Sequence, residues 1–468
     1  MADYKLLGKN YQTPDLYAKV TGRSKYAEDH RAEGMLFAKL LVSPMPHARV
    51  ISIDTSAAEA LPGVEGIMTP ADLPDEVEAP GEASLTMEPH YEGEPILAVA
   101  AVSEQIASDA IELIDIQFEP LPFVLDPLDS LQPGGPNGRL DGNTRLGREM
   151  GEIKWAEADV AGLAPGEIPM DAEAAAEWEY GDLAAGFAEA DVIIEEHSYS
   201  QSTSHQPLES RTTMAYWEGG KLYVYPSVQS TARSVGPMAR WAGIEPSNVV
   251  VINEYTGGGF GGKISGYVQA QIPILMSKTL GKPVQMRISR REENAIGRAR
   301  PGVQARIKLG MRADGKITAL DIHAIGDQGP YGGSGDAQNV AGVGSLCYQP
   351  TATRIRYTNV WTNTPPRGPQ RGPGGVQSMT MLEPIIHKAT KRLGLDHVDV
   401  HAMNAPEGQA LFGPPGRDGT RSNVSSAFAK EAIAKGAELF NWTERKERSG
   451  RRNGSKVTGI GMCLSAYS

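Results

Sequence analysis

The densest concentration of potential chemistry in this sequence is Gly257-Gly258-Gly259-Phe260-Gly261-Gly262-Lys263-Ile264. Between a strand and a helix, such a loop can aim backbone N–H groups at an anion, as helix N-termini do. The spacing of Gly257, Gly262 and Lys263 nearly spells a phosphate-binding P-loop, in which Ser or Thr follows the lysine to hold magnesium. Ile264 stands there instead, which sets nucleotide hydrolysis aside. A turn that merely needs positive φ uses one or two glycines. Five in the six positions 257–262 point to close approach of the backbone to a bulky ligand. Gln229 lies in Ser227-Val228-Gln229-Ser230, at the end of a strand pattern, and Arg371 lies in Gln370-Arg371-Gly372-Pro373-Gly374, where Pro and Gly neighbours fix the backbone. His205 and Glu209 read as structural.

The elements that must position these residues are short and mixed. Residues 34–42, 48–53 and 95–102 are strand-like, 55–61 and 103–114 helix-like, and 112–118 returns as a strand. Ser103 is the expected N-cap of its helix. From 126 to 181 the pattern dissolves around Pro133-Gly134-Gly135-Pro136 and an acidic, Ala-rich stretch. Strands return after Asp191. Residues 212–217 and 221–226 flank Gly219-Gly220, a hairpin signal, and 306–311 and 316–323 flank a second turn. Residues 248–255 form a strand feeding the glycine loop, and helices are expected over 267–280 and 377–393. The fold class is α+β. The expected domains are 1–125, a linker with an acidic insertion over 126–185, and 186–468.

Composition narrows the function. The 468 residues carry a formal net charge of −12, which argues against nucleic-acid binding because phosphate neutralisation needs clustered Lys and Arg. Cys347 and Cys463 match no zinc or iron–sulfur spacing, and a reducing cytoplasmic compartment fits them. The N-terminal residues lack a signal-peptide core, and apolar runs fall far short of a bilayer span of about 20 residues.

The glycine loop resembles the GGGFGGK loop of the xanthine dehydrogenase and aldehyde oxidase family of molybdenum hydroxylases. The resemblance continues in order along the chain. Lys19-Val20-Thr21-Gly22, Gly34-Met35-Leu36, Ser43-Pro44, His47-Ala48-Arg49-Val50, Leu61-Pro62-Gly63-Val64 and Thr69-Pro70-Ala71-Asp72 resemble the family's a/b hammerhead domain. Gly181-Asp182, Ala190-Asp191-Val192 and His205-Gln206-Pro207-Leu208-Glu209 resemble the opening of its first molybdopterin-binding domain. The resemblance implies a molybdopterin cofactor, in some members its cytosine dinucleotide, that holds its metal through its own sulfurs. It implies that the backbone of Gly258, Gly259, Phe260 and Gly261 lies against the cofactor. Gln229 would hydrogen-bond a molybdenum oxo group, Arg371 would stand near the metal, and Glu383 falls where the family has a helix glutamate. Electrons would leave through a 2Fe–2S cluster and FAD on partner subunits.

Two departures bear on substrate. Purine-oxidising members carry a glutamate after the loop lysine and a phenylalanine beside the arginine, where this chain has Ile264 and Pro373. Carbon monoxide dehydrogenases carry a cysteine in the loop matching 370–374, and none is present. A small, less polar organic substrate is expected. The chain ends at what resembles the family's mid-subunit junction, so the expectation is an N-terminal half that needs a further chain with the second molybdopterin-binding half and its general-base glutamate. A hydratase on the same scaffold and a non-catalytic scaffold subunit are the alternatives.

Overall fold

The structure, a computed structural model, describes residues 5–74, 82–147, 149–332, 335–416 and 418–466. Strands β1 (Leu36–Val42), β2 (Val64–Met68) and β3 (Pro95–Ala101) precede helix α1 (Glu104–Glu112), whose Ser103 cap accepts from the Ile106 N–H at 3.2 Å. Next come β4 (Ala176–Tyr180), β5 (Val192–Ser200), β6 (Thr212–Glu218), β7 (Lys221–Pro226) and α2 (Thr231–Ala242). They are followed by β8 (Val249–Val251), α3 (Gln271–Leu280), β9 (Val284–Arg287), β10 (Val303–Met311) and β11 (Ile317–Asp327). Helix α4 (Asp336–Cys347), β12 (Ala352–Val360), α5 (Gly375–Arg392) and α6 (His397–Asn404) complete the framework.

Two sheets organise the chain. A seven-stranded sheet runs β8-β7-β6-β9-β1-β3-β2, and a five-stranded sheet runs β4-β12-β11-β10-β5. The β6–β7 hairpin turns at Gly219 and Gly220, with φ of 56° and 78°, the positive pair that a two-residue turn requires. Strands β3 and β11 are buried at every position, as strands covered on both faces are. Helices α4 and α5 pack Val340, Leu382, Ile385 and Ile386 onto Ile307 and Ile322 of the second sheet. Helix α3 packs Ile272 and Met276 against Leu36, Ala98 and Met286 of the first. Among the described residues no helix is long and apolar enough to cross a membrane.

Two expectations change. First, the segments read as separate domains share a sheet. Strand β1 pairs in parallel with β9, Leu36 opposite Val284. Second, the stretch read as a linker is packed. Leu128, Leu131, Ile153, Trp155 and Ile168 are buried against Ile325 and Val360, and β4 from this stretch pairs with β12. Its apolar residues are scattered among acids and loops, so no period betrays them, and a distant sheet supplies their partners. Trp155→Ala should therefore lower the unfolding free energy by about 3–5 kcal/mol, the usual cost of truncating a buried aromatic, in a denaturant titration. A change within about 0.5 kcal/mol would return the stretch to a loose linker.

Candidate functional site

Gln229 follows β7, just before the Ser230 cap of α2, and its side chain is exposed. Its Oε1 accepts the backbone N–H of Gly261 at 2.9 Å and of Lys263 at 3.2 Å, and its own N–H donates to the Lys263 carbonyl at 2.6 Å. Two donors converge on one atom, so that atom is the oxygen. The amide NH2 of Gln229 is left without an acceptor among the described residues.

The glycine loop departs from its expected setting. Strand β8 ends at Val251, and α3 does not begin until Gln271, so the loop is not a helix N-terminus. Its glycines answer mainly to the protein itself. A Cβ on Gly257 would lie 2.4 Å from Glu209 Cβ, one on Gly259 2.4 Å from Gln229 Oε1, and one on Gly261 2.2 Å from the Pro369 carbonyl. One on Gly262 would press on Arg211 and His205 at 3.0 and 3.1 Å. Internal close packing, rather than ligand approach, accounts for these four. What remains for a ligand is the stretch 258–260. Among the described residues nothing accepts from the N–H groups of Gly258, Gly259 or Phe260. Phe260 adopts φ 53°, a conformation costly for a residue with a Cβ, and is 45% exposed.

A buried polar frame holds the loop in place. Glu209 accepts the Gly257 N–H at 2.6 Å on Oε2 and the Ala27 N–H at 3.1 Å on Oε1, joining the loop to the first segment of the chain. Lys263 turns inward, its ammonium donating to the Glu209 carbonyl at 2.7 Å and to Ser227 Oγ at 2.6 Å. Arg211, paired with Glu293 in the interior, donates to the Gly262 carbonyl at 2.5 Å. His205 directs Nε2 at the Pro369 carbonyl, 2.9 Å away, and Nδ1 at the Arg298 carbonyl, 3.2 Å away. Burial lowers its pKa, so the neutral ring donates to one carbonyl, and the shorter contact is the one with the proton. His205 and Glu209 are thus braces, as their sequence setting suggested.

Arg371 is brought beside the loop, its N–H donating to the Phe260 carbonyl at 2.8 Å. Its exposed guanidinium has no partner among the described residues. Arg300 fixes the segment from below, bonding the carbonyls of Arg371 and Gly372 at 2.7 and 3.1 Å and Gln370 Oε1 at 2.9 Å. Arg300, Arg211 and Glu293 were not singled out from sequence, and no motif or spacing marks them. Glu383, on α5, lies with Tyr348, His397 and His401. Cavities of about 430, 460, 200 and 500 Å³ are lined by none of Gln229, 257–263 or Arg371.

The N–H groups of 258–260, the Gln229 amide and the Arg371 guanidinium, without acceptors among the described residues, could together bond an oxygen-rich anionic ligand. Residues 168–405 match the molybdopterin cofactor-binding domain, and residues 21–122 match the a/b hammerhead domain of aldehyde oxidase and xanthine dehydrogenase. The chain belongs to this molybdopterin-binding large-subunit family. It is 29% identical over 412 residues to the nicotinate dehydrogenase large molybdopterin subunit of Eubacterium barkeri, covering 86% of this chain and 90% of that one. It is 28% identical over 483 residues to a probable hypoxanthine oxidase of Escherichia coli (strain K12), covering 96% of this chain but only 50% of that protein. The fold matches quinoline 2-oxidoreductase from Pseudomonas putida 86 with TM-score 0.73 at 23% identity, over 94% of this chain and 55% of that one. Aldehyde oxidoreductase from Desulfovibrio gigas gives TM-score 0.74 at 23% identity, over 94% and 48%. The chain therefore spans about half the length of several proteins it matches.

The frame has an electrostatic signature. Burial pulls the Lys263 ammonium down to about 8, against the opposing pull of the Glu209 carboxylate. Between that value and the ordinary 10.5, the unfolded chain holds this proton and the folded chain does not. Unfolding free energy should therefore rise with pH through this window, while below about 8 both states are charged and the contribution is flat. Stability measured for wild type and Lys263→Met from pH 7 to 10 checks this, the wild type gaining on the variant above about 8. A difference constant across the range would refute it.

Proposed function

We propose that the chain forms one wall of the catalytic site of a molybdenum-dependent hydroxylase or dehydrogenase that adds a water-derived oxygen to an organic substrate. The observation that carries this reading is the set of donors without acceptors among the described residues, Gln229 NH2, the N–H groups of 258–260 and the Arg371 guanidinium, in a family that binds molybdopterin. The molybdopterin, when bound, supplies the acidified oxygen nucleophile and the electron sink. The residues here bind and orient. Backbone N–H groups of Gly258, Gly259 and Phe260 meet polar atoms of the cofactor without side-chain entropy to lose, and Gly261 lets the Pro369 carbonyl close against the loop. Gln229, its oxygen already committed to two loop N–H groups, can only donate with the amide that remains. Arg371 adds a permanent positive charge, held at the right place by the rigid 370–374 backbone rather than by its own side chain. The rest of the cavity, with the carboxylate that acts as general base, comes from polypeptide outside these 468 residues. Subunits carrying a 2Fe–2S cluster and FAD accept the electrons.

Molybdenum and pterin analysis of the purified complex, combined with assays with and without an artificial electron acceptor, tests this. Acceptor-dependent turnover supports hydroxylation, while acceptor-independent addition of water would make it a hydratase. Gln229→Ala and Arg371→Ala should each lower kcat by about 10²–10³, the usual loss for one preorganised donor near developing charge, with molybdenum content retained. Full activity in both variants would remove them from the site.

Ile264 and Pro373 set the substrate class. A purine loses a carboxylate partner and a stacking face, at about 1–3 kcal/mol for each buried polar group left unpaired. Xanthine and hypoxanthine should not be turned over appreciably. Across an alkyl-substituted heterocycle series, affinity should rise by about 0.8 kcal/mol per buried methylene until the pocket fills. Efficient xanthine oxidation, or affinity falling from the smallest homologue upward, would sink this assignment.

A further inference from the structure

Away from the glycine loop, α5 and α6 bring together three metal-ligating side chains that the proposed reaction does not use. His397 and His401 are four residues apart on α6 and so share a face, and Glu383 reaches them from α5. Glu383 Oε2 lies 3.0 Å from His401 Nε2 and 3.4 Å from His397 Nε2. The ligand atoms of all three lie within 4.8 Å of one another. Around a tetrahedral zinc ion, with bonds of about 2.0–2.2 Å to nitrogen and oxygen, neighbouring ligand atoms stand about 3.3–3.5 Å apart. The spacing fits.

The hydrogen bonds decide which atoms are free to ligate. His401 Nδ1 lies 2.7 Å from the His397 carbonyl, which can only accept, so that nitrogen carries the proton. His401 Nε2 then faces the Glu383 carboxylate and, at 3.4 Å, the Tyr348 hydroxyl. His397 Nδ1 meets His387 Nδ1 at 3.4 Å, where either ring can donate, and its Nε2 faces the same carboxylate. Glu383 Oε1 takes the Tyr348 hydroxyl and the Leu464 N–H at 3.3 Å and also lies 3.1 Å from His401 Nε2, whereas Oε2 meets only the two imidazoles. Two imidazole nitrogens and a carboxylate oxygen therefore converge on one point, where the His401 side chain has 0% exposure. A single divalent ion serves all three groups, and the Nδ1–H to carbonyl bond of His401 is the outer contact that orients metal-bound histidines.

We propose that Glu383, His397 and His401 bind one divalent transition-metal ion of the zinc type, with a fourth position for water. A cavity of about 200 Å³ beside His387 and His397, bordered by Gly461 and Trp442, gives the ion a way in. Lys446, also at its rim, is neutralised by Asp396 at 2.5 Å. The ion would clamp α5, which leads out of the Arg371 loop, to α6 and to the segment around Leu464. The other three-residue grouping, His47 with Glu88 and His90, is a poorer candidate because Glu88 is engaged by Arg49 at 3.2 Å.

The test uses the full chain, or its complex, prepared without a histidine tag and analysed for zinc separately from molybdenum. About one zinc per chain should survive gel filtration, and chelator-stripped protein should take up cobalt(II) with the visible absorption of a four-coordinate site. Zinc should raise the melting temperature of stripped wild type. His397→Ala and Glu383→Gln should each weaken zinc binding by more than the about 10–100-fold that loss of an outer contact costs. His47→Ala should leave it unchanged. Wild-type protein that binds neither zinc nor cobalt and shows no thermal shift would overturn the proposal, whatever the variants do. So would zinc affinity that survives in folded His397→Ala and is lost in His47→Ala.

Discussion

The glycine loop could not keep its shape without the buried charges behind it. Lys263, Glu209, Arg211 and Glu293 are charged groups removed from water, and such groups are tolerated only when each is paired and hydrogen-bonded. Here their partners include the backbone of the loop itself, Gly257 and Gly262, and residues of the opposite segment such as Ala27. The polar frame and the loop therefore specify each other. Either one alone would leave unsatisfied groups in the interior.

Local features were legible in the sequence because their physics is local. The Gly219-Gly220 turn, the Ser103 cap and the stop at Gly281 follow from residue types within a few positions, and the structure has each where the sequence implies it. The family resemblance was legible for a similar reason, as short ordered fragments. The pairing of β1 with β9 was not, since nothing in residues 36–42 indicates a partner some 250 positions away. The burial of Trp155 was hidden likewise, its neighbours being acids and loop residues.

The candidate site was legible in part. Gln229, Phe260 and Arg371 were found, and the fold brings them to adjoining loops. For four of the glycines the protein's own close packing is a sufficient reason. A glycine records that something presses on its α-carbon, but not whether that is a ligand or the protein's own Pro369 carbonyl. Arg300 was missed because its role is to grip the carbonyls of residues about 70 positions later, and a guanidinium among ordinary neighbours carries no such mark.

The shared sheet has a consequence for how the molecule is made. Strands β1, β2 and β3 leave the ribosome early, but β1 has one edge that only β9 can cover. At synthesis rates of about 5–20 residues per second, roughly 250 residues take on the order of 12–50 s to follow. Throughout that interval the N-terminal strands present an apolar, hydrogen-bond-hungry border to other nascent chains. A chaperone that shields Leu36–Val42 until residue 287 emerges would thus govern the yield of this protein, independently of how stable its finished fold is.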